Sequence, residues 1–211
     1  MSASSGDGGR LLPSTDLDAF HGSLAQALHR AEQDSLIRFA SICLFKVVPI
    51  IEVRSGCTVD EQVTEWLRSL EAERETLTEV LRSLRDIVER PASESVSDEL
   101  SDACSMAAEM VRRAFENGFR IREWADWCST LVLDIHQEFD ALLHPGDNGA
   151  PIFYPAAERP ELTPMEALEL RDQVAALDLL RRGVGSDQLS AINEEGNARV
   201  ASALSRIVGW C

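Results

Sequence analysis

The sequence predicts an all-α fold: a single-domain bundle of about seven or eight amphipathic helices around one buried apolar helix. Three observations predict it. Segment 36–53 (LIRFASICLFKVVPIIEV) is apolar nearly all round, which on a helix means burial on most sides. Elsewhere apolar residues recur at helical spacing. No alternating strand pattern of useful length occurs, nor any turn pair between β-branched runs.

Each element has its own justification. Residues 1–14 are rich in Gly and Ser and are expected to be a disordered N-terminal segment, leaving the helical domain at 15–211. Leu17, Phe20, Leu24, Leu28 and Ala31 mark a first helix. Asp34 or Ser35 is expected to cap the apolar helix, and Pro49 inside it to kink or restart it near Val48. Thr58 and Glu61 read as a capping box. The helix after it buries Val59, Val63, Trp66, Leu67 and Leu70. A continuation or second helix carries Leu77, Leu81, Leu84 and Val88 up to Pro91.

After the linker at 91–95, Ser97 is expected to cap a helix with Leu100, Cys104, Ala107, Val111 and Phe115 inward, closed by Asn117-Gly118. Helix 119–143 follows, with Trp124, Cys128, Leu131, Ile135, Phe139 and Leu142 on one side. Residues 144–162 form a long loop without period that holds the sole tyrosine, Tyr154. Such a loop is functional or mobile. Thr163-Pro164-Met165-Glu166 is a helix start combining proline at the first position with a capping box. That helix carries Leu168, Val174, Leu177 and Leu180 and stops near Gly183-Val184-Gly185. A last helix from Ser186 carries Leu189, Ile192, Val200, Leu204 and Ile207.

Composition limits the function classes. The formal net charge is -16, so a phosphate backbone or an anionic membrane is repelled. A basic protein partner is favoured instead, because opposite charge steers encounter. Arg38, Lys46 and Glu52 interrupt the apolar segment, which rules it out as a bilayer span. The five cysteines show no CxxC spacing, and the N-terminus has no apolar signal-peptide core. Free thiols and a cytoplasmic location are the expectation. Cys43, Cys104 and Cys128 read as small core residues, and Cys57 as the one cysteine in a turn. The single lysine against nineteen arginines reads as genomic bias.

The chain resembles the YjaG-like family of small bacterial all-helical proteins of unknown function. The resemblance rests on LAQALHRAEQDSLIRFASICLFKVVPIIE from Leu24, on the tryptophan helix VTEWLRSLE from Val63, and on SDELSDACSMAAEMV, followed by the same order of helices. It departs at the loop 144–162 and at the head of the chain. The resemblance implies a helical domain and brings no catalytic residues.

The candidate chemistry is sparse. No phosphate-binding glycine loop, nucleophile elbow or HExxH motif occurs, so no catalytic or cofactor-binding residue is assigned. His136 and Asp140 stand at i and i+4, with His144, Asp134, Glu138 and Asp147 near, as part of a metal site would. An ordinary polar helix flank accounts for them as well, and no metal is assigned. His21 and His29 have no acidic partner at ligand spacing.

The feature given most weight is acidic. From Glu123 to Glu158 there is no Lys or Arg and there are seven carboxylates. At about 100° per residue, Glu123, Asp126 and Asp134 gather beside Thr130 and Gln137. They form a stripe leading to a loop with Phe153 and Tyr154. Charge beside an aromatic anchor is a common build for a partner surface. The expected function is a non-enzymatic, acidic protein-interaction module of the immunity, antitoxin or regulatory kind. The alternative is a metal-binding helical protein or enzyme using His136, Asp140 and nearby carboxylates.

Overall fold

The computed structural model describes residues 24–93, 96–115, 120–144, 162–183 and 185–208. Among them are eight α-helices, one 3₁₀ turn and no strand. Helix α1 is described over 24–30. It is followed by α2 (Gln33–Ser55), α3 (Glu61–Ser69), α4 (Arg74–Val88), the 3₁₀ turn Asp98–Leu100, α5 (Ser101–Arg113), α6 (Ile121–Leu143), α7 (Pro164–Arg182) and α8 (Ser186–Val208). The expected segment 1–14, the caps at Asn117-Gly118 and most of the loop 144–162 lie outside the described residues.

Helix α2 is the axis of the bundle. All its residues from Phe39 to Ile51 are buried, and it packs against every helix from α3 to α8. A helix covered on all sides has no polar face to spare, which is why its sequence lacks the usual amphipathic stripe. None of the described helices is long and apolar enough to cross a membrane. Helix α2 runs unbroken through Pro49, so the expected restart does not occur. Its neighbours hold the chain helical past the missing amide, and Gly56 ends it in the left-handed conformation at φ 64°, where a residue without Cβ is unstrained.

Local capping differs from expectation in three places, one of them Ser97, which precedes the 3₁₀ turn and makes no side-chain cap, so that α5 starts after Leu100. Glu32, not Asp34 or Ser35, precedes α2, and it makes no side-chain cap. Asp60, not Thr58, caps α3, its carboxylate accepting the Gln62 N–H at 2.8 Å. Asp at this position matches the short reach such a cap requires. The expected start of α7 is found: Pro164 occupies its first turn and Glu166 accepts the Thr163 backbone N–H at 3.3 Å. The α3–α4 segment is two helices, with Leu70 turning left-handed at φ 59° between them. Helix α6 is anchored to α5 by the Trp124 indole N–H, which donates to the Met110 carbonyl at 2.8 Å. The Arg122 guanidinium donates to the carbonyls of Leu28, His29 and Ala31. It thereby closes the C-terminal end of α1, whose last carbonyls have no partner inside the helix.

Helix α7 buries Leu177 and Leu180 as expected and Val174 in part, but not Leu168. Leu168 is exposed, and the inward positions are Glu166, Glu169, Leu170, Gln173, Ala176, Leu177 and Leu180. Polar residues face inward here because charged partners wait for them in the core.

Candidate functional site

Lys46 sits in the middle of α2 and is fully buried. An ammonium taken out of water is costly unless it is paired and fully hydrogen-bonded. Glu169 of α7, equally buried, provides both: the Lys46 Nζ donates to its Oε1 at 2.9 Å and its Oε2 at 2.8 Å. The Gln173 amide, one turn on, donates to Glu169 Oε1 at 2.9 Å and to the Ser129 carbonyl at 3.2 Å. The Ser129 hydroxyl returns a bond to Gln173 Oε1 at 2.6 Å. Arg199 of α8 places Nη1 3.7 Å from Glu169 Oε2 and donates from Nη2 to Asp172 at 2.7 Å. Two cations, two carboxylates, an amide and a hydroxyl thus join α2, α6, α7 and α8 at one level.

The neighbouring helices are shaped around this cluster. Gly196 of α8 leaves room for the lysine stem: a Cβ there would stand 2.9 Å from Lys46 Cδ and nearer still to Cε. Asn197 of α8 donates to the Phe45 carbonyl at 2.6 Å, beside the lysine. Burial pushes the Glu169 carboxyl up, but the Lys46 ammonium outweighs that and, with His136 and the hydrogen bonds, holds it below its ordinary value.

His136 belongs to this interior and not to a polar flank. Its Nδ1–H donates to the Val132 carbonyl at 2.8 Å, and Nε2 lies 3.8 Å from Glu169 Oε2. A backbone carbonyl only accepts, so the neutral ring carries its proton on Nδ1 and turns a bare Nε2 toward the cluster. Burial lowers the His136 pKa despite the opposing pull of Glu169. Asp140, one turn on, is also buried, and it accepts the Met165 N–H at 2.6 Å at the start of α7. The two residues therefore serve different helices. His144 is exposed, and Asp147 lies outside the described residues. Among the described residues no group of three or more His, Cys, Asp or Glu side chains is placed to hold a metal ion.

The thiols are quiet where they are buried. Burial raises Cys43 and Cys128 far above the ordinary thiol value and Cys104 to about 11, so none is a thiolate at neutral pH. Cys57 is exposed, with Arg90 Nη1 at 3.4 Å from its sulfur.

The acidic stripe on α6 is partly as expected. Glu123, Asp126 and Thr130 are exposed, and Asp134 is half-buried. Gln137 is buried and does not belong to the stripe. Phe153 and Tyr154 lie outside the described residues. Glu123 pairs with Arg120 at 2.8 Å, but both are largely exposed, so water and salt screen most of that attraction. Trp127 stands in the same row, one position after Asp126, and is half-buried. The Arg113 guanidinium lies 3.9 Å over its ring, and its indole N–H is buried with no hydrogen-bond partner among the described residues. Sequence reasoning passed over Trp127 because it lies next to the inward row of Trp124, Cys128 and Leu131.

No family model, curated protein or solved structure matches this chain. The likeness to the YjaG-like family rests on the residues quoted for it alone.

Proposed function

We propose that this protein is a non-enzymatic interaction module whose α6 surface receives a basic protein partner, in the manner of an immunity, antitoxin or regulatory protein. The observation that carries the reading is the row Glu123, Asp126, Trp127 and Thr130 on the outside of a helix anchored to the core. The tryptophan, half-buried, supplies apolar contact area. The carboxylates steer and orient a cationic surface. Two further facts favour binding over catalysis. The Lys46–Glu169 cluster is closed to solvent, with both side chains fully buried. The buried thiols are held protonated. A module of this kind fits a cytoplasmic protein, and the excess negative charge disfavours nucleic acid and anionic lipid as partners.

The test is capture of a basic protein from the native host by the intact chain at low salt, beside a Glu123→Lys/Asp126→Lys variant. The wild-type protein should retain a stoichiometric partner whose affinity falls as salt rises. The variant should lose at least about tenfold in affinity, equivalent to about 1.4 kcal/mol. Equal retention by both proteins overturns the assignment of α6 as the interface.

A further inference from the structure

A cavity of about 390 Å³ opens where the ends of α3 and α7 meet the start of α8. Its size falls within the range of small-molecule sites, roughly 300–1,000 Å³. Leu70, Leu179, Leu180 and Leu189 supply an apolar lining, and the Ser186 and Ser190 hydroxyls a polar one. Two charges of opposite sign also line it: Arg38 of α2 and Glu71, just past α3. Both are exposed. They form no ion pair with each other, and neither has an ionic partner among the described residues.

Three residues lining the cavity have positive φ. Leu70, at its rim, is the one non-glycine residue with positive φ among the described residues. An L-residue with a Cβ adopts that conformation rarely, and such strain gathers at binding sites. On the opposite rim Gly183 and Gly185 have φ 65° and 83°. A Cβ on Gly185 would lie 3.0 Å from Leu179 Cδ2, so the lining leucine keeps its place only beside a glycine.

A cation and an anion without ionic partners among the described residues, beside an apolar floor in one cavity, define a ligand. We propose that this cleft binds a free α-amino acid with an aliphatic side chain. The carboxylate lies against Arg38, the ammonium against Glu71 and the side chain among the leucines. A plain carboxylate meets Glu71 repulsion, and a plain amine meets Arg38, so each charge rejects the ligand that lacks its complement. The site is independent of the partner-binding reading, because it shares no residue with the α6 stripe.

The test is titration of the intact, isotopically labelled protein with L-leucine, L-isoleucine and L-methionine, followed by amide resonances. 4-Methylpentanoate, which lacks the amine, and 3-methylbutylamine, which lacks the carboxylate, serve as controls. At least one amino acid should produce saturable shifts centred on residues 69–71 and 185–190, with each control at least about tenfold weaker. Arg38→Gln and Glu71→Gln lie at exposed positions, and the dispersion of their spectra reports that they fold. Each should weaken the amino acid by about tenfold or more. Absence of saturation up to about 10 mM, equal binding of either control, or undiminished binding in both variants overturns the proposal.

Discussion

Replacing Lys46 by methionine removes the ammonium while keeping an unbranched apolar stem of similar length. Glu169 is then a carboxylate at zero exposure whose 2.8 and 2.9 Å bonds to the amine are gone. Removing one partner of a buried pair costs about 3–5 kcal/mol. Gln173 still donates at 2.9 Å and Arg199 stands at 3.7 Å, so the lower end, about 3 kcal/mol, is expected. For a chain of this size that corresponds to a fall in Tm of roughly 6–12 °C. The deficit should also depend on pH. Without Lys46 the Glu169 carboxyl loses the charge that held it low, and burial then raises its folded pKa above the unfolded value. A group of that kind loses stability as pH rises through the unfolded value, so Lys46→Met should stand closer to wild type at pH 5 than at pH 8. Urea unfolding at both pH values, followed by far-UV circular dichroism, measures this. Adding Glu169→Gln to Lys46→Met should recover most of the loss, since no ion then remains unpaired at that position. If Lys46→Met unfolds within about 1 kcal/mol of wild type at pH 8, the pair is not what joins α2 to α7.

Two further outcomes follow from the same region and its surroundings. Glycine inside a helix is normally improved by alanine, by roughly 0.5–1 kcal/mol. Gly196→Ala should instead destabilise by about 1–3 kcal/mol, because the new Cβ occupies the path of the Lys46 stem; a rise in urea midpoint would refute that packing. Glu138 is buried on α6 with Oε2 unpartnered among the described residues, and burial, helped by Asp102, raises its carboxyl to about 7. Its contribution is present below the unfolded carboxyl value and is lost as pH rises toward 7. His136, whose pKa is lowered by burial, has the opposite sign: its contribution is present above the ordinary value of 6.5 and lost as pH falls below it. Just below pH 6.5 the two slopes, each up to about 1.4 kcal/mol per unit, have opposite signs and offset each other. Glu138→Gln should expose the histidine slope and lose stability on acidification faster than wild type, and parallel urea curves from pH 5 to 8 would exclude it.

The helical architecture was legible because its signals are local. Apolar spacing marks α3 through α6, Pro164 and Glu166 mark the start of α7, and the unbroken apolar run at 36–53 marks the helix at the centre. What was not legible depends on pairing across the fold. Lys46 and Glu169 are separated by 123 positions, and nothing local says that a charge in an apolar helix will meet its counterion. One signal was present: a single lysine placed inside the most apolar segment of an arginine-rich chain. Helix α7 misled for the same reason. Its Leu168 reads as inward but is exposed, whereas the buried face adds Glu166, Glu169 and Gln173 to Leu177 and Leu180, beside the charges opposite. His136 and Asp140 were noticed as a pair by their spacing. Their separate commitments, to the Lys46 cluster and to the start of α7, are set by helices remote in sequence.

The buried position of Lys46 has a practical consequence. It carries the only side-chain amine in the protein, and in the native fold no acylating reagent, cross-linker or lysine-modifying enzyme can reach it. Lysine labelling of this molecule is therefore a clock for opening of its centre. The rate at which Lys46 becomes acylated, read by mass spectrometry at a single peptide, reports how often α2 is uncovered, without an introduced probe and without denaturant.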